Sequence, residues 1–259
     1  MRLVLLGDPV DHSLSPAIQN AALRAASLPG AYEARLVDER GLADAFDEMR
    51  SGVIDGANVT MPHKGRAAAL ADRLEPTAQR AGAINTLVRV AGDVIGHNTD
   101  VAGIRRAWAD RRLPDAEIVQ VLGTGAAAAA ALLALEGRDL VITTRRVGAG
   151  TILAKKLRVT ARELPWGTAV PGAVLVNATP LGMHGEALPN SLTDEASGLF
   201  DMAYGSEATP AVAEMRTRNL PAVDGTDMLL AQGAASFRLW TGRSADLTAM
   251  RAAMVATIG

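Results

Sequence analysis

The 259-residue chain contains no cysteine, and this absence excludes several kinds of chemistry at once. Disulfides, thiolate nucleophiles, cysteine-ligated zinc and iron–sulfur clusters all need this residue. Histidine is scarce as well. The four histidines are scattered, and no HExxH pair of the kind found in zinc enzymes is formed by His12, His63, His97 and His184. We therefore expect no metal site, and the lack of cysteine is compatible with a cytoplasmic protein.

A strong charge of one sign is also lacking. The formal net charge is −2, and the densest basic clusters are the pairs Arg111-Arg112 and Arg145-Arg146. Neither is the polybasic patch that nucleic acid or anionic lipid would require. The apolar stretch that follows Met1 ends at Gly7, which is too short for a signal peptide or a membrane span. We expect a small-molecule substrate, no nucleic-acid or membrane partner, and a monomer or homodimer.

Short apolar runs alternate with helical patterns along most of the chain, which predicts an α/β fold with mainly parallel sheets. The predicted strands span 2–7, 31–37, 53–60, 117–122, 139–144, 173–178 and 199–203. A hairpin is expected around the Gly92-Asp93 turn. The first predicted helix has Ser15 as its N-cap. Further helices are predicted over 42–49, 63–74, 76–82, 101–112, 126–135, 209–219, 228–240 and 246–258. Because the pattern starts again after residue 100, we expect an N-terminal domain (1–100) and a Rossmann-like domain (101–229).

A glycine-rich turn follows the predicted strand 117–122 and opens an alanine-rich helix. The segment Gly123-Thr124-Gly125-Ala126-Ala127-Ala128 has the G-x-G-x-x-A form of a dinucleotide-binding turn. The first glycine makes the turn, the second lets the backbone approach a pyrophosphate, and the last small residue lets helix and strand pack closely. The helix N-terminus adds N–H groups and partial positive charge. By itself the pattern is equally compatible with an ordinary strand–helix turn.

About 20 residues further on, NAD enzymes often carry an acidic residue that binds the ribose hydroxyls. This chain has Thr144, Arg145 and Arg146 there, and no acidic residue. A guanidinium group suits a 2′-phosphate through its charge and its fork of donors. The alternative is that both arginines are solvated loop residues. The pattern favours NADP over NAD.

Small polar residues lie near the ends of several predicted strands, where α/β proteins build their sites. They are Ser13, Ser15, Asn58, Thr60, Lys64, Asn85, Thr86, Asn98, Thr99 and Asp100. Each has a structural alternative: Ser15 or Asp100 could cap a helix, Asn85 could satisfy backbone groups, and Lys64 could be solvated. Taken together, with only 3% aromatic residues in the chain, they suit a small acid rich in hydroxyl groups.

Seven ordered segments between Gly7 and Gly242 resemble the shikimate dehydrogenase family. They are Gly7–Pro16 (GDPVDHSLSP), Asn58–Lys64 (NVTMPHK), Ala83–Thr86 (AINT), Gly96–Asp100 (GHNTD), Asn177–Met183 (NATPLGM), Asp201–Tyr204 (DMAY), and Gln232 with Phe237–Gly242 (FRLWTG). The resemblance implies two domains with a cleft between them, the first completed by C-terminal helices at about 230–259. It also implies NADP-dependent, reversible reduction of 3-dehydroshikimate to shikimate, in the biosynthesis of chorismate and the aromatic amino acids.

The resemblance also implies roles for individual residues. Lys64 would be the proton donor and acceptor, paired with Asp100. The substrate would be held by Ser13, Ser15, Asn58, Thr60, Asn85, Gln232 and Tyr204. The cofactor would lie along Gly123, Gly125, Ala126, Thr144, Arg145, Arg146, Thr179 and Met228.

The chain departs from the family pattern at several positions. Gln19 stands where a histidine is usual, Asp227 stands where a glycine is usual, and the stretch 146–171 looks short for half of a Rossmann domain. Quinate or aminoshikimate dehydrogenase is the alternative within the enzyme class. Ser15 favours the shikimate type, because the quinate-using branch tends to carry threonine there. A non-catalytic nucleotide-binding regulatory protein is the alternative of another class, and Lys64 with Asp100 argues against it.

Overall fold

The computed structural model describes residues 1–110, 113–114, 117–205 and 207–258. The chain divides into two compact units. The first comprises Met1–Thr99 with Leu230–Gly259, and the second comprises Asp100–Leu229. Asp100 is therefore the first residue of the second unit.

The first unit contains a six-stranded mixed sheet. Its strands are β1 (Arg2–Gly7), β2 (Ala31–Leu36), β3 (Gly56–Val59), β4 (Arg73–Leu74), β5 (Thr86–Val90) and β6 (Asp93–His97), in the order β2-β1-β3-β5-β6-β4. Strand β1 runs parallel to β2 and β3, whereas β5 is antiparallel to both of its neighbours. The predicted hairpin is present, but its turn is Ala91-Gly92, since Asp93 already pairs with Val90. Both turn residues have positive φ, which this tight type of hairpin turn requires.

Helices cover this sheet. They are α1 (Ser15–Ala25), α2 (Glu39–Ser51), α3 (Lys64–Leu70), α4 (Pro76–Ala81) and, near the C-terminus, α11 (Leu247–Ile258), with α10 (Gly225–Thr241) belonging here from Leu230 onward. The predicted helix 63–74 is wrong at its end, because α3 stops at Leu70 and residues 73–74 form β4. The Asp72 carboxylate accepts a hydrogen bond from the Val94 N–H at 2.8 Å, which ties this segment to β6. Phe46, Met49 and Ile54 lie in the core beneath the sheet.

The second unit is built on a parallel six-stranded sheet. Its strands are β7 (Ile118–Leu122), β8 (Asp139–Thr144), β9 (Ala161–Pro165), β10 (Val174–Asn177), β11 (Gly198–Asp201) and β12 (Ala222–Val223). All of the pairings between neighbouring strands are parallel. The order β12-β11-β10-β7-β8-β9 is the doubly wound order of dinucleotide-binding folds, with its switch point between β7 and β10.

The helices of this unit are α5 (Thr99–Asp110), α6 (Ala126–Ala134), α7 (Ala149–Leu157), α8 (Asn190–Thr193) and α9 (Pro210–Thr217). The predicted end of α5 at Arg112 lies outside the described residues. The region 146–171, which looked short, holds both α7 and β9, and residues 166–173 then cross to β10 without a helix. The buried side chain of Gln120 holds this crossover: its amide donates to the Thr168 carbonyl at 2.7 Å and accepts from the Val170 N–H at 3.1 Å.

Candidate functional site

One edge of the first sheet collects most of the polar segments that the sequence analysis selected. The carboxyl ends of β1 and β3 lie side by side, because Leu6 pairs with Val59. Strand β5 runs the other way, so its first residue, Thr86, pairs with Asn58 and with His97 at the end of β6. The segments that follow β1, β3 and β6 and the segment that precedes β5 therefore emerge at the same edge.

Asn58 is the centre of a buried polar network at this edge. Its side-chain amide nitrogen lies 2.9 Å from the Asn85 carbonyl, 3.0 Å from Thr86 Oγ1 and 3.1 Å from Ser236 Oγ, while its oxygen accepts from the Tyr32 hydroxyl at 2.8 Å. These partners occupy both ends of the amide, and Asn58 is 6% exposed. The structure thus embeds this predicted substrate residue among other side chains.

Asn85 continues the network towards helix α10. Its side-chain oxygen accepts from the Thr99 N–H at 2.7 Å, and its nitrogen donates to Thr99 Oγ1 at 2.9 Å and to Gln232 Oε1 at 3.3 Å. The Ser236 hydroxyl lies 3.1 Å from the Thr99 hydroxyl. Asn85, Thr99 and Gln232 are therefore brought together, although they lie far apart in the sequence.

Two members of this network were missed by sequence reasoning. Ser236 lies four residues after Gln232 on the same face of α10, and that spacing is a signal that could have found it. Tyr32 lies on strand β2, and no local pattern indicates that its hydroxyl reaches Asn58. Both residues are buried.

The segment after β1 begins helix α1, and here one expectation is wrong. The N-cap of α1 is Leu14, and Ser15 is the first helical residue, so Ser15 does not cap the helix. Instead, the Ser13 hydroxyl oxygen accepts the Ser15 N–H at 3.2 Å. In this contact Ser15 takes part through its backbone N–H and not through its hydroxyl.

Thr60 and Lys64 follow strand β3. The Thr60 N–H donates to the Leu6 carbonyl at 2.9 Å, and Lys64 opens α3 while its carbonyl accepts from the Ile84 N–H at 3.0 Å. Both side chains are half-buried. These backbone contacts hold the start of α3 against the β4–β5 region, at the edge that carries the Asn58 network.

Gln19 and Trp240 join the C-terminal helix α10 to the rest of the first unit. The buried Gln19 amide donates to the Gly233 carbonyl at 2.9 Å, and the Trp240 indole N–H donates to the Leu87 carbonyl at 2.9 Å. Gly56 makes room for the indole, because a Cβ there would lie 2.4 Å from Trp240 Nε1. Helix α10, with Gln232 and Ser236, is thus anchored at both ends of its contact with this unit.

In the second unit, the glycine turn joins β7 to α6. Gly123 has φ +107°, a conformation that favours glycine, and a Cβ there would lie 3.1 Å from the Ala178 carbonyl oxygen. Gly125 is the N-cap of α6, and a Cβ there would meet no heavy atom within 4 Å. Ala128 is fully buried. The turn is therefore tight at its first glycine, open at its second, and closely packed at its last small residue.

The carboxyl ends of β7, β8 and β10 meet beside this turn. Leu122 pairs with Asn177, which brings the Thr179 methyl group within 3.3 Å of a Cβ built on Gly123. Thr144 ends β8 and is buried, whereas Arg145 and Arg146 are exposed. Within the described part of the chain, neither guanidinium group has a hydrogen-bond or ion-pair partner. Two unpaired cations thus stand near the open glycine turn.

Asp201 ends the neighbouring strand β11 and is completely buried. One carboxylate oxygen accepts from the Asn177 amide at 2.9 Å and the Ala203 N–H at 3.0 Å, and the other accepts from the Thr209 hydroxyl at 2.6 Å. Burial raises the pKa of Asp201 to about 6, although these donors oppose the shift. Sequence reasoning assigned Asp201 no role.

The remaining predicted residues of this unit lie on three elements. Tyr204 is half-buried on the loop after β11, Met228 is buried in α10, and Asp100 is buried as the second residue of α5. Ala126 opens α6.

No group of three or more His, Asp or Glu residues placed to hold a metal ion occurs in the described ranges. None of the helices described there is long and apolar enough to cross a membrane.

Comparison with known proteins decides the family. A model of the shikimate dehydrogenase substrate binding domain matches residues 5–87, and a model of the shikimate 5′-dehydrogenase C-terminal domain matches residues 225–255. The shikimate dehydrogenase (NADP(+)) of Hyphomonas neptunium is 38% identical over 95% of this chain and 93% of its own length. That of Geobacter sulfurreducens is 34% identical over 99% of this chain and 96% of its own. The chain belongs to the shikimate dehydrogenase family.

Solved structures agree with this assignment. Shikimate 5-dehydrogenase from Thermus thermophilus, in complex with shikimate, superposes with a TM-score of 0.91 and 34% identity, covering 100% of this chain and 99% of its own. The same enzyme in complex with NADP(H) and shikimate gives a TM-score of 0.89 at 34% identity, with 98% of each chain covered. The resemblance to this family and the two-part α/β fold expected from the sequence are therefore confirmed.

Proposed function

We propose that this protein is an NADP-dependent shikimate dehydrogenase that reversibly reduces 3-dehydroshikimate to shikimate. The observation that carries the proposal is the similarity to proteins of this name, at 34% identity over 99% of this chain and at 38% over 95%. A role in the biosynthesis of aromatic amino acids follows from that reaction. The first unit binds the substrate, and the second binds NADP.

The polar edge of the first sheet supports the substrate assignment. We assign substrate contacts to Ser13, Ser15, Asn58, Thr60, Asn85, Gln232 and Tyr204. Hydrogen bonds to four groups hold the Asn58 amide in place. Side chains that hold one another in place lose little freedom when a ligand arrives, which favours affinity and geometric precision.

Lys64 and Asp100 are the proposed catalytic pair. Reduction of a ketone requires a hydride at carbon and a proton at oxygen, and the nicotinamide supplies the hydride when the cofactor is bound. As an ammonium group, Lys64 donates a hydrogen bond to the ketone oxygen, stabilises the developing alkoxide and delivers the proton. Asp100 accepts from the lysine and from a substrate hydroxyl, which orients both. In the oxidation direction Lys64 takes the proton back.

The glycine turn fits the cofactor. The open Gly125 and the N-terminal N–H groups of α6, which begins at Ala126, suit a pyrophosphate. Arg145 and Arg146, which have no side-chain partner within the described ranges, suit a 2′-phosphate. Thr144, Thr179 and Met228 complete the proposed cofactor-binding set. The absence of an acidic residue after β8 favours NADP over NAD.

Steady-state assays test the proposal directly. Oxidation of shikimate and of quinate, each with NADP and with NAD, is followed by the absorbance of the reduced cofactor. We expect the highest kcat/KM for shikimate with NADP. A higher value with quinate would replace the proposed substrate, and cofactor binding without turnover on either substrate would indicate a regulatory binding protein instead.

A further inference from the structure

Asp201 is a buried carboxylate to which the proposed mechanism gives no part. It receives three hydrogen bonds, from the Asn177 amide, the Ala203 N–H and the Thr209 hydroxyl. Its side chain is therefore fully engaged with groups from β10, from its own loop and from the start of α9. Burying a carboxylate is costly unless hydrogen bonds or a nearby opposite charge offset its desolvation.

The hydrogen-bond partners of Asp201 belong to two loops, one that follows β10 and one that follows β11, at the edge of the second sheet where the cofactor is proposed to bind. Asn177 donates to Asp201 and also to the Leu181 carbonyl at 2.9 Å, while its oxygen accepts from the Thr179 N–H at 3.1 Å and the Thr179 hydroxyl at 2.7 Å. One amide thus holds the loop that follows β10. The Ala203 N–H fixes the loop that follows β11, immediately before Tyr204.

We propose that Asp201 is a positioning residue for the cofactor: its ionised carboxylate holds Asn177 and the Ala203 N–H, and through them keeps Thr179 and Tyr204 placed for NADP binding. This inference rests on the proposed function. Asp201 acts through Asn177 and Ala203 and is not itself a contact of the cofactor or substrate.

The contribution of the Asp201 charge to loop positioning can be tested separately from the contribution of the side chain's shape. An asparagine at this position could accept from Asn177 and Ala203 and donate to the Thr209 oxygen, so that only the charge-assisted strength of the bonds would be lost. Burial raises the pKa of Asp201 to about 6, and nearby Asp224 adds to the rise. Asp224 itself pairs with Arg216 of α9 at 3.3 Å. Protonation below about pH 6 should therefore weaken the same bonds as the asparagine does.

The decisive measurement is the KM for NADP of Asp201→Asn divided by that of the unsubstituted protein, followed from about pH 5 to about pH 8. The ratio cancels the titration of the 2′-phosphate of NADP, which also falls near pH 6. We expect a ratio of about 5 at pH 8 that falls towards about 1 at pH 5, with kcat changed less than about twofold. Asp139→Asn, which neutralises an exposed carboxylate at the start of β8, should give a ratio of about 1 throughout.

A second variant tests the same charge without replacing it. Thr209→Val removes a donor that lowers the pKa of Asp201, so the fall in NADP affinity on acidification should begin at a higher pH than in the unsubstituted protein. Thr209→Ser, which keeps the hydroxyl, should restore the original profile.

Two results would overturn the inference. A ratio near 1 at every pH would show that Asp201 does not position the loops. A raised ratio that does not vary with pH, together with an unshifted Thr209→Val profile, would show that its charge is irrelevant. In both cases the unsubstituted protein still oxidises shikimate with NADP. Failure of that reaction at about pH 8 would instead contradict the proposed function.

Discussion

The two units of this protein present different kinds of polar groups at the edges of their sheets. At the edge of the first sheet, the polar side chains Asn58, Asn85, Thr86, Thr99 and Ser236 bond to one another and are buried. At the edge of the second sheet, the prominent groups are an open glycine turn and two arginines without side-chain partners in the described ranges. The first edge is built from mutually fixed side chains, and the second from backbone and unpaired charge.

The two sheet topologies account for this difference. The mixed sheet brings both strand ends and a strand beginning to one edge, so side chains from distant segments can meet there. In the parallel sheet, the strand ends β7 and β8 lead through short loops to the N-termini of α6 and α7, which offer N–H groups rather than side chains. A compact polyol acid suits fixed side chains, whereas the phosphates of a dinucleotide suit N–H groups and guanidinium charge.

The largest effect is expected at the edge of the first sheet, where a substitution should lower turnover without changing cofactor binding at the edge of the second sheet. Lys64→Met should lower kcat by about 10²–10⁴-fold, because proton transfer is lost, while the affinity for NADPH stays unchanged. Stopped-flow or steady-state rates and NADPH fluorescence titration measure the two quantities. Arg66→Met, which removes an exposed cation from the same helix, serves as the control. Near-normal turnover in the Lys64 variant would remove this residue from the mechanism.

The next effect concerns the unpaired charges of the second edge. Arg145→Ala and Arg146→Ala should lower the ratio of kcat/KM with NADP to that with NAD, by about 10- to 100-fold for the arginine that binds the 2′-phosphate. Lys155→Ala, on the exposed side of α7, should leave the ratio unchanged. If both arginine variants keep their preference for NADP, the selectivity must arise elsewhere.

The glycine turn allows binding to be separated from stability. Gly125→Ala should raise the KM for NADP about tenfold, because a methyl group would stand where the pyrophosphate approaches the backbone. Its free energy of unfolding should change by less than about 0.5 kcal/mol, since the site is open. Gly123→Ala should instead destabilise the fold by about 1–3 kcal/mol, owing to its positive φ. Urea denaturation distinguishes the two, and equal stability losses would contradict this comparison.

The smallest effect on activity is expected in the buried network of the first edge. Ser236→Ala removes a shared partner of Asn58, Thr86 and Thr99, and should cost about 1–3 kcal/mol of stability. The KM for shikimate should rise by only about two- to fivefold. Thr257→Ala, whose hydroxyl bonds to its own helix, is the control. A variant as stable as the unsubstituted protein would show that the network contributes nothing to folding.

Local patterns predicted the strands and helices in which apolar residues form a clear run or a clear periodic stripe. Strands β1 and β8 have the predicted bounds, because each contains an uninterrupted run of Leu, Val and Ile that is flanked by polar residues or glycine. Helix α7 was not predicted, since Gly148 and Gly150 open it and no cap lies next to it in the sequence. Its cap is distant: the Glu163 carboxylate accepts from the Gly148 and Thr151 N–H groups, each at 2.7 Å. A cap of this kind exists only after β9 has paired with β8.

The sequence by itself determined the fold class, the family and the glycine turn, because each depends on short segments whose periodicity or residue types can be recognised locally. It also determined which polar residues stand at strand ends. The tertiary structure decided how those residues bond: that Asn58 is enclosed by Tyr32, Thr86 and Ser236, that Asp201 reaches Asn177, and that both arginines are left without partners among the described residues. The reason is physical. A periodic pattern reports which face of an element is buried, whereas a hydrogen bond between segments far apart in the chain depends on strand order and register, which no local pattern contains.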